Sequence, residues 1–427
     1  MLRIEHLEDL TVERKNEIIS RNSYSFQDTM SITLEILNSL KQDPVGEICK
    51  EYAPFKQNLE ISELKVSEEE IELAHRQIDR ELLKALQVAA VNITRFHEAQ
   101  LERPQWFTEL SPGLIAGRIT LPLSRVGVYI PGGRAIYPSS SLMNIIPAKV
   151  AGVKHVIACS PPGEGFTVKP EILVSATMAG AESIYKLGGA WAMGSMAYGF
   201  LGVPKVDKIV GPGSTWAMAA KIAVFGVTDI DMPAGPSEGF IISDGSSQHK
   251  FLTWDFLAQL EHDPQAAAIF VTTSAEEARE LAELAEKLLP TLSRKGIVED
   301  SIKNAAILVC KTLDDALDFA NKYAPEHLQL SVRDPLSYLG RVKNAGSVFL
   351  GDYSPIAAGD YASGTNHVLP TGGAAKSFSG LSTDDFLKKI TFQKLTLDAL
   401  KNLAPTVMTI AEAEGLECHK KSIKVRL

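Results

Sequence analysis

The sequence predicts an α/β protein built on parallel sheets, because short β-branched runs alternate with Ala-rich helical stretches from about Arg125 onwards. Each of the first four runs ends in a glycine-rich turn. A repeated order of strand, glycine turn and helix is typical of a parallel sheet with helices on both faces. Such sheets bind ligands at the carboxyl ends of their strands, where these turns fall. The four predicted strands are 126–130, 155–159, 183–187 and 208–210.

Helices are expected before this region, and a second strand–helix alternation follows it. Ser67 and Glu70 form a capping box, and Val66 and Ile71 are spaced as a hydrophobic staple. These features start a helix predicted to run to about Gln100. The other predicted elements are the strands 268–272, 306–309 and 347–350, the helices 216–225, 275–289 and 313–323, and a helical C-terminal segment with a strand-like end at 423–427.

Composition and charge argue against several classes of protein. The chain has 427 residues, 45% of them hydrophobic and 22% charged, which is typical of a globular protein. Its length suggests roughly two to three domains. The net charge of −9 gives no support to a nucleic-acid partner. There is no signal-peptide pattern, membrane-spanning run or CxxC pair, so we expect a cytoplasmic protein without a membrane partner, disulfide framework or thiolate zinc site.

Two short strings that contain histidine indicate metal binding or catalysis. Gln259 and His262 are three residues apart at the end of a predicted helix, so they can face one ligand such as zinc. The alternative is a solvated helix end before Pro264. Glu326 and His327 fall at a predicted helix-to-strand junction, where adjacent side chains can converge on a substrate and histidine can act as a general base. The alternative is an ordinary surface turn.

Two further strings lie closer to the C-terminus. The stretch 359–370 is rich in Gly, Asp, Asn and His, and such loops often form sites. Within it Asp360 offers an oxygen ligand, and His367 offers a second base or an oxyanion donor; a purely structural loop is the alternative. The string from Glu414 to His419 follows a helix, and its alternative is an exposed tail.

The sequence contains neither a GxGxxG fingerprint nor a Walker A loop. The turn Gly211-Pro-Gly213 has two glycines and lacks the third. The residues alone therefore support a ligand at the strand ends without establishing a dinucleotide.

Taken together, eight strings resemble sequences of the histidinol dehydrogenase family. They occur in the same order as in that family and with compatible spacing. The resemblance spans roughly residues 30–427. The strings are RVGVYIPGG (125–133), VDKIVGPG (206–213), DMPAGPSE (231–238), QLEH (259–262), PEH (325–327), GSVFLGD (346–352), GDYASGTNHVLPT (359–371) and EGLECHK (414–420).

The resemblance implies two Rossmann-like parallel-sheet domains with additional N- and C-terminal helical segments, assembled as an intertwined homodimer with shared active sites. The expected parts are an N-terminal helical segment (1–28), a first α/β domain carrying most metal and catalytic residues (29–124 plus 239–381), a nucleotide-binding α/β domain (125–238), and a C-terminal helical tail that reaches the partner subunit (382–427).

The resemblance also implies one Zn²⁺ per site and NAD as cofactor. Glu326 and His327 match the acid/base pair. The matching metal positions are Gln259, His262 and Asp360 of one subunit and His419 of the other. Matching substrate positions are Ser237, Gln259, His262, His327, Asp360, His367, Glu414 and His419. The cofactor positions are Tyr129, Trp191 and Ser214.

The implied reaction oxidises the amino alcohol L-histidinol, through L-histidinaldehyde, to L-histidine with two NAD⁺, the last steps of histidine biosynthesis. His327 would take the hydroxyl proton in the first step, and Glu326 would activate water in the second. Zinc would mainly orient the substrate.

Three residues depart from the family pattern. Trp191 and Ser214 stand where the family has Gln and Asn, and Ile356 stands where it often has a Glu near the imidazole. These changes motivate an alternative, a paralogue that oxidises another small alcohol such as a sulfonated diol to the acid. A second alternative is a non-catalytic zinc-binding relative, against which the presence of every presumed zinc and acid/base residue argues.

Overall fold

The computed structural model describes residues 2–21, 26–132 and 136–427, and within them two parallel sheets are flanked by helices. The prediction of an α/β fold with parallel sheets is confirmed. Gly133 of the string 125–133 lies outside the described residues. The strands are β1 (Ile4–His6), β2 (Gln105–Ser111), β3 (Leu114–Pro122), β4 (Arg125–Tyr129), β5 (His155–Ser160), β6 (Ser183–Lys186), β7 (Lys208–Val210), β8 (Asp229–Ile230), β9 (Glu238–Ser243), β10 (Ala267–Thr272), β11 (Ala306–Val309), β12 (His327–Ser331), β13 (Ser347–Leu350) and β14 (Leu387–Leu395).

No helix in the described part of the chain is both long and apolar enough to cross a membrane. Helices surround the sheets. They are α1 (Val12–Ser20), α2 (Phe26–Gln42), α3 (Pro44–Tyr52), α4 (Glu68–Gln77), α5 (Arg80–Glu98), α6 (Pro138–Val150), α7 (Pro170–Ala179), α8 (Gly189–Tyr198), α9 (Thr215–Val224), α10 (His249–Leu260), α11 (Ala275–Leu288), α12 (Lys295–Ser301), α13 (Leu313–Tyr323), α14 (Leu336–Leu339), α15 (Ile356–Tyr361), α16 (Leu397–Ala413) and α17 (Glu417–Lys424).

The two parallel sheets share one strand order. The described strands of one sheet run β6-β5-β4-β7-β8, which is 3-2-1-4-5 when they are numbered along the chain. The other sheet runs β11-β10-β9-β12-β13, again 3-2-1-4-5, with β1 added beside β11. This is the order of a Rossmann-type half, and its switch point lies between the first and fourth strands.

Helices cover both faces of each sheet. Side chains of α4, α5, α6 and α7 form one core against the β4–β8 sheet, and those of α2, α3, α8 and α9 form another on its opposite face. In the β9–β13 sheet, α1 and α13 cover one face and α10, α11 and α12 the other. Burying each large apolar side chain stabilises the fold by about 1.5–3 kcal/mol.

These contacts bear on the predicted domain division, which grouped 29–124 with 239–381. In the structure, α2 to α5 pack on the sheet formed within 125–230. The N-terminal segment 1–28, expected to be helical, also contributes the edge strand β1. The position of the domain boundaries stays a prediction.

Two predictions for the C-terminal segment were wrong. The segment 423–427, predicted to be strand-like, holds the end of α17 and the turn that follows it. The C-terminal segment is not wholly helical, because β14 pairs antiparallel with β3, which in turn pairs with β2. This antiparallel sheet has no counterpart in the predicted elements.

The capping box at Ser67 is confirmed, since its hydroxyl accepts from Glu70 N at 3.2 Å while the Glu70 carboxylate accepts from Ser67 N at 3.0 Å. The single helix predicted from there is broken at residues 78–79. The Asp79 carboxylate accepts from Glu81 N and Leu82 N, so it caps a new helix, α5.

Candidate functional site

Gln259 lies on the last turn of α10, above the start of β9. The apolar side chains of α10, Leu252, Phe256 and Leu260, are fully buried against the sheet and fix the helix in place. Gln259 contacts Gly239, where an added Cβ would lie 2.4 Å from its Cγ, so only glycine fits at this position. Its amide is buried, and neither amide atom has a hydrogen-bond partner.

Glu326 and His327 begin β12, as the predicted helix-to-strand junction requires. Ala324 ends α13 in the left-handed conformation with φ 54°, which turns the chain into the strand. Both side chains are buried. The Glu326 Oε2 atom accepts from Glu238 N at 2.8 Å, and His327 Nδ1 donates to Glu238 O at 3.1 Å. The start of β9 therefore holds both groups.

Asp360 on α15 lies close to His327 and to two further histidines, His367 and His262. Its Oδ1 lies 3.3 Å from His327 Nε2, close enough for an ion pair though not aligned as a hydrogen bond. His367 Nδ1 donates to Asp360 O at 2.7 Å. Burial raises the pKa of Asp360, but the close contact with His327 and its charge, with the charges of His367 and His262, outweigh burial and lower the pKa below its usual value. Asp360 is thus kept as an anion.

Burial and the neighbouring carboxylates shift the pKa of the buried His327 and that of the half-buried His367 in opposite directions. Burial opposes the charged form of His327, but Glu326 and Asp360 together raise its pKa well above the usual 6.5. Burial dominates at His367 and lowers its pKa, although Asp360 acts in the other direction. The site therefore combines one histidine that binds a proton tightly with one that is neutral.

The predicted cofactor residues lie at the switch point of the β4–β8 sheet. Tyr129 ends β4, and its hydroxyl accepts from Gly189 N at 3.2 Å at the start of α8. Trp191 is in the first turn of α8, half-buried, with its indole N–H unpartnered. Ser214 is exposed and caps α9 through Ala217 N. These residues share the strand ends at which the sequence predicts a ligand.

The two sheets contribute opposite ends to the interface between them. Ser140 on α6 contacts His367, with Oγ 3.4 Å from Nε2, and Gly235 N donates to Thr371 Oγ1. The predicted acid/base residues Glu326 and His327 lie at the amino ends of β9 and β12, whereas the rule for such sheets puts ligands at carboxyl ends. That rule describes the β4–β8 sheet alone.

The remaining predicted residues divide into two groups. Ser237 directly precedes β9 and is half-buried, and His262 follows α10 close to Asp360. Glu414 and His419 are exposed on the α16–α17 tail. Within the described part of one chain, no three His, Cys, Asp or Glu side chains form a group that could hold a metal. Of the predicted metal, catalytic and substrate residues, a single chain brings together all except Glu414 and His419.

Sequence reasoning missed two residues that contact the cluster. Glu238 holds both acid/base side chains through its backbone, and Arg21 forms an ion pair with Glu238. Glu238 is the last residue of the string DMPAGPSE, which was the available signal. Nothing near Arg21 in the sequence marks it, because its partners Glu238 and Tyr323 lie more than 200 positions away.

Comparisons with known proteins agree with this description. A family model for histidinol dehydrogenase matches residues 19–427. The histidinol dehydrogenase of Methanosarcina mazei is 46% identical over 98% of this chain and 96% of the relative, and that of Methanocaldococcus jannaschii is 43% identical over 99% and 98%. The crystal structure of histidinol dehydrogenase from Elizabethkingia anophelis superposes with a TM-score of 0.93 at 37% identity, covering 100% of this chain and 97% of that one.

Two Rossmann-type sheets with a buried acid/base cluster between them define an α/β oxidoreductase. The chain belongs to the histidinol dehydrogenase family. It is therefore a dehydrogenase.

Proposed function

We propose that the protein is a zinc-dependent, NAD-linked dehydrogenase that oxidises L-histidinol through L-histidinaldehyde to L-histidine, a four-electron oxidation that ends histidine biosynthesis in the cytoplasm. The observation that carries the proposal is the buried cluster of Glu326, His327 and Asp360 beside the unpartnered amide of Gln259. Family membership supports the substrate, since the relatives are named for histidinol.

The donor set fits a zinc ion. Gln259 offers a buried carbonyl oxygen with no protein partner, Asp360 an anionic carboxylate and His262 an imidazole. Zinc accepts such nitrogen and oxygen ligands, usually four. We propose His419 of a second copy as the fourth. Bound zinc would orient the substrate and offset part of the Asp360 charge.

The β4–β8 sheet fits a dinucleotide. Its switch point has two glycine turns, at residues 188–189 and 211–213, and Tyr129 joins them because its hydroxyl binds Gly189 N and its carbonyl adjoins Gly211. We propose that NAD binds here, with Trp191 and Ser214 beside it. The nicotinamide carries the hydride, and the protein supplies placement.

In the first oxidation His327 would be the general base in its neutral form, because zinc bound at Asp360 would offset the carboxylate charge that raises the pKa of His327. Its Nδ1–H is held by Glu238 O, so Nε2 is the atom that accepts the substrate's hydroxyl proton as hydride leaves the carbon. Nε2 faces Asp360, whose anion stabilises the imidazolium that forms. Burial of the pair excludes bulk water at this stage.

In the second oxidation the aldehyde must add water before it can lose another hydride. The Glu326 Oε2 atom lies 3.4 Å from His327 Nδ1 and accepts a hydrogen bond from Glu238 N. A buried carboxylate in this position can take a proton from water as it attacks the carbonyl carbon. The Glu326–His327 pair thus serves both steps.

One observation favours the second candidate, a paralogue for another small alcohol. Ile356 is 2% exposed and lies four residues before Asp360, on the same face of α15. A buried apolar side chain there cannot bond an imidazole N–H. Replacing such a hydrogen bond costs about 1–3 kcal/mol of recognition.

The shared-site homodimer is supported by exposed apolar surface. Every residue of β2 is exposed, including Phe107 at 65% and Leu110, and Ile410 and Val425 are exposed on the C-terminal helices. Apolar surface of this extent on one antiparallel sheet and its adjoining tail is typical of an interface. The tail carries Glu414 and His419.

Activity after metal removal tests the proposal. We expect NADH formation with L-histidinol to stop after chelation and to return when Zn²⁺ is restored, and His327→Asn to abolish it in the zinc-loaded enzyme. Turnover of other small alcohols with poor turnover of histidinol would favour the paralogue. Absence of NAD binding would contradict both.

Mixing of variants tests the shared site. A His419→Asn subunit keeps the base and lacks the tail ligand, while a His327→Asn subunit keeps the tail ligand and lacks the base. Hybrid dimers should regain one competent site. Hybrids that form and stay inactive would show that His419 serves its own chain.

A further inference from the structure

Arg21, the residue that follows α1, forms the ion pair that is buried behind the acid/base cluster. Its Nε lies 2.6 Å from Glu238 Oε1, and its Nη2 donates to Glu238 Oε2 at 2.8 Å. Glu238 Oε1 also accepts from Gly372 N at 2.7 Å. Neither Arg21 nor the Glu238 carboxylate contacts the reacting cluster directly through its side chain.

The Glu238 backbone contacts both members of the acid/base pair. Its N–H donates to the Glu326 carboxylate, and its carbonyl accepts from His327 Nδ1. The second bond decides which imidazole nitrogen faces Asp360. Displacement of the Glu238 peptide plane would therefore change the orientation of both side chains together.

Arg21 also binds the chain on the other side of the pair. Its guanidinium donates to Tyr323 O at 3.0 Å and Ala324 O at 3.4 Å and lies 3.8 Å from the centre of the Tyr323 ring. These carbonyls lie at the end of α13, three and two residues before Glu326. One guanidinium thus joins the residue that starts β9 to the turn that starts β12.

The Arg21 backbone supports a specific role. Its φ of 55° and ψ of 172° lie in a region that residues other than glycine rarely adopt. Such a conformation persists only where surrounding contacts fix it. The contacts are those of its own guanidinium with Glu238, Ile19 O, Tyr323 and Ala324.

We infer that Arg21 is a positioning residue for the acid/base pair, acting through Glu238 and through the end of α13. The inference rests on the proposed function, which assigns Glu326 and His327 to catalysis. A planar guanidinium presents five N–H donors in a fixed fork, which suits a carboxylate and several carbonyls around it, whereas a lysine has three donors on one nitrogen atom. The role therefore needs arginine at this position.

A cavity beside Arg21 makes the inference open to chemical rescue. It has a volume of about 460 Å³ and is lined by residues that include Arg14, Arg21, Thr215, Glu238 and Tyr323. Truncation of Arg21 to alanine would remove the guanidinium group and two methylenes, which leaves room for a guanidinium ion beside Glu238. Guanidinium ion can then enter and bind Glu238, whereas urea has the same shape without the charge.

The first experiment compares Arg21→Ala with wild type in the zinc-loaded enzyme. We expect kcat to fall about 10- to 100-fold while the substrate KM changes little, because misplaced catalytic groups cost rate more than binding. Millimolar guanidinium should restore part of kcat with saturation, and urea should not. Arg21→Lys, which is less disruptive to folding, should lose part of kcat and gain nothing from guanidinium.

Arg14→Ala is the matched control. Arg14 lies on α1, lines the same cavity and pairs with Glu5 and Glu17, away from the cluster. It should keep the wild-type kcat. Wild-type kcat in both Arg21 variants, or equal restoration by urea and guanidinium, would overturn the inference.

Hydrogen exchange supplies a readout that does not depend on turnover. In Arg21→Ala the amides of 238–239 and 326–328 should exchange faster than in wild type and in Arg14→Ala, and guanidinium should reverse this. If wild type fails to oxidise histidinol, the proposed function fails, while faster exchange at these amides still supports the positioning role. Unchanged exchange at both segments would refute that role in an active enzyme.

Discussion

Gln259 is the side chain in the cluster whose own contacts are least satisfied. It is 1% exposed, and neither amide atom has a hydrogen-bond partner. A buried polar group left unpaired costs about 1–3 kcal/mol. Because the unpaired amide of Gln259 destabilises the fold, we expect this side chain to bind a ligand and not to contribute to stability.

We therefore expect Gln259→Met to stabilise the metal-free protein by about 1 kcal/mol, since methionine has similar length and no amide to desolvate. The same change should weaken zinc binding by about 10- to 100-fold, as loss of ligand-shell groups does. Urea unfolding of chelator-treated protein and competitive zinc titration measure the two effects.

Gln248→Met provides the comparison for Gln259. Gln248 is the exposed N-cap of the same helix and makes no side-chain capping bond, so the change should alter stability by less than about 0.5 kcal/mol. Loss of stability in the metal-free Gln259 variant, or unchanged zinc affinity, would contradict the binding role.

Glu238 gives stability a defined pH dependence. Burial raises the pKa of its carboxyl from 4.5 to about 7, although Arg21 and Gly372 N oppose the shift. The folded state therefore binds this proton more tightly than the unfolded chain does. Stability from this group is present below pH 4.5 and is lost as pH rises towards 7.

Glu238→Gln removes that titration. The unfolding free energy of wild type minus that of the variant should fall as pH rises from 4.5 to about 7. Urea unfolding of both proteins across this range measures the difference. A difference that is flat, or that increases with pH, would show that burial does not raise the pKa of this carboxyl.

At the scale of elements, the turn after β7 depends on one glycine. Gly211 has φ 122°, and an added Cβ would lie 2.2 Å from Tyr129 O on the neighbouring strand. Its N–H donates to the Asp231 carboxylate, which also pairs with the buried Lys221. The turn is fixed by backbone conformation, by close approach and by a buried ion pair.

Two alanine substitutions separate conformational strain from collision. Gly226 also has positive φ, 96°, but no atom lies near its Cβ position. We expect Gly226→Ala to cost about 1–2 kcal/mol and Gly211→Ala about 4 kcal/mol or more. Gly211→Ala should also lose NAD binding, measured by calorimetry. Equal costs would show that the Tyr129 contact does not matter.

The elements that the sequence predicted well have strong local patterns. The run 208–210 matches β7, and 313–323 matches α13, because β-branched runs and amphipathic spacing persist through each element. The break before α5 was missed although Asp79 is a good N-cap, since the apolar periodicity continues across it. The pairing of β14 with β3 was missed because the two strands lie far apart in the sequence, and the adjacent strands β2 and β3 were missed as well.

Site prediction has the same limit. The Glu326–His327 junction could be predicted because the helix, the turn and the strand are consecutive. The contact of His367 with Ser140 and that of Glu238 with Arg21 could not, because each joins segments from different sheets or distant helices. The resemblance to the family indicated which residues belong to the site, but it did not indicate which residues they contact.

At the scale of the whole molecule, two sheets of one topology present opposite ends to each other. The β4–β8 sheet presents its carboxyl ends with the glycine turns, and the β9–β13 sheet presents its amino ends with the acid/base pair. The arrangement puts the glycine turns of one sheet opposite the Glu326–His327 pair of the other. Only the tail residues Glu414 and His419 remain outside it in one chain.

Association of two chains should therefore control zinc binding. We expect Phe107→Glu on the exposed strand β2 to yield a monomer, because a charge at the centre of an apolar interface costs several kcal/mol. That monomer should keep the fold and lose about 10-fold or more in zinc affinity, although its own His419 is intact. Sedimentation and zinc titration measure the two effects.

Leu336→Glu is the matched change. Leu336 is 70% exposed on α14, beyond the carboxyl end of β12 and so at the far end of that strand from His327. This variant should remain a dimer with unchanged zinc affinity. If the Phe107 variant is monomeric and still binds zinc as wild type does, then each chain completes its own metal site. The tail must in that case fold back onto Asp360 of the same chain.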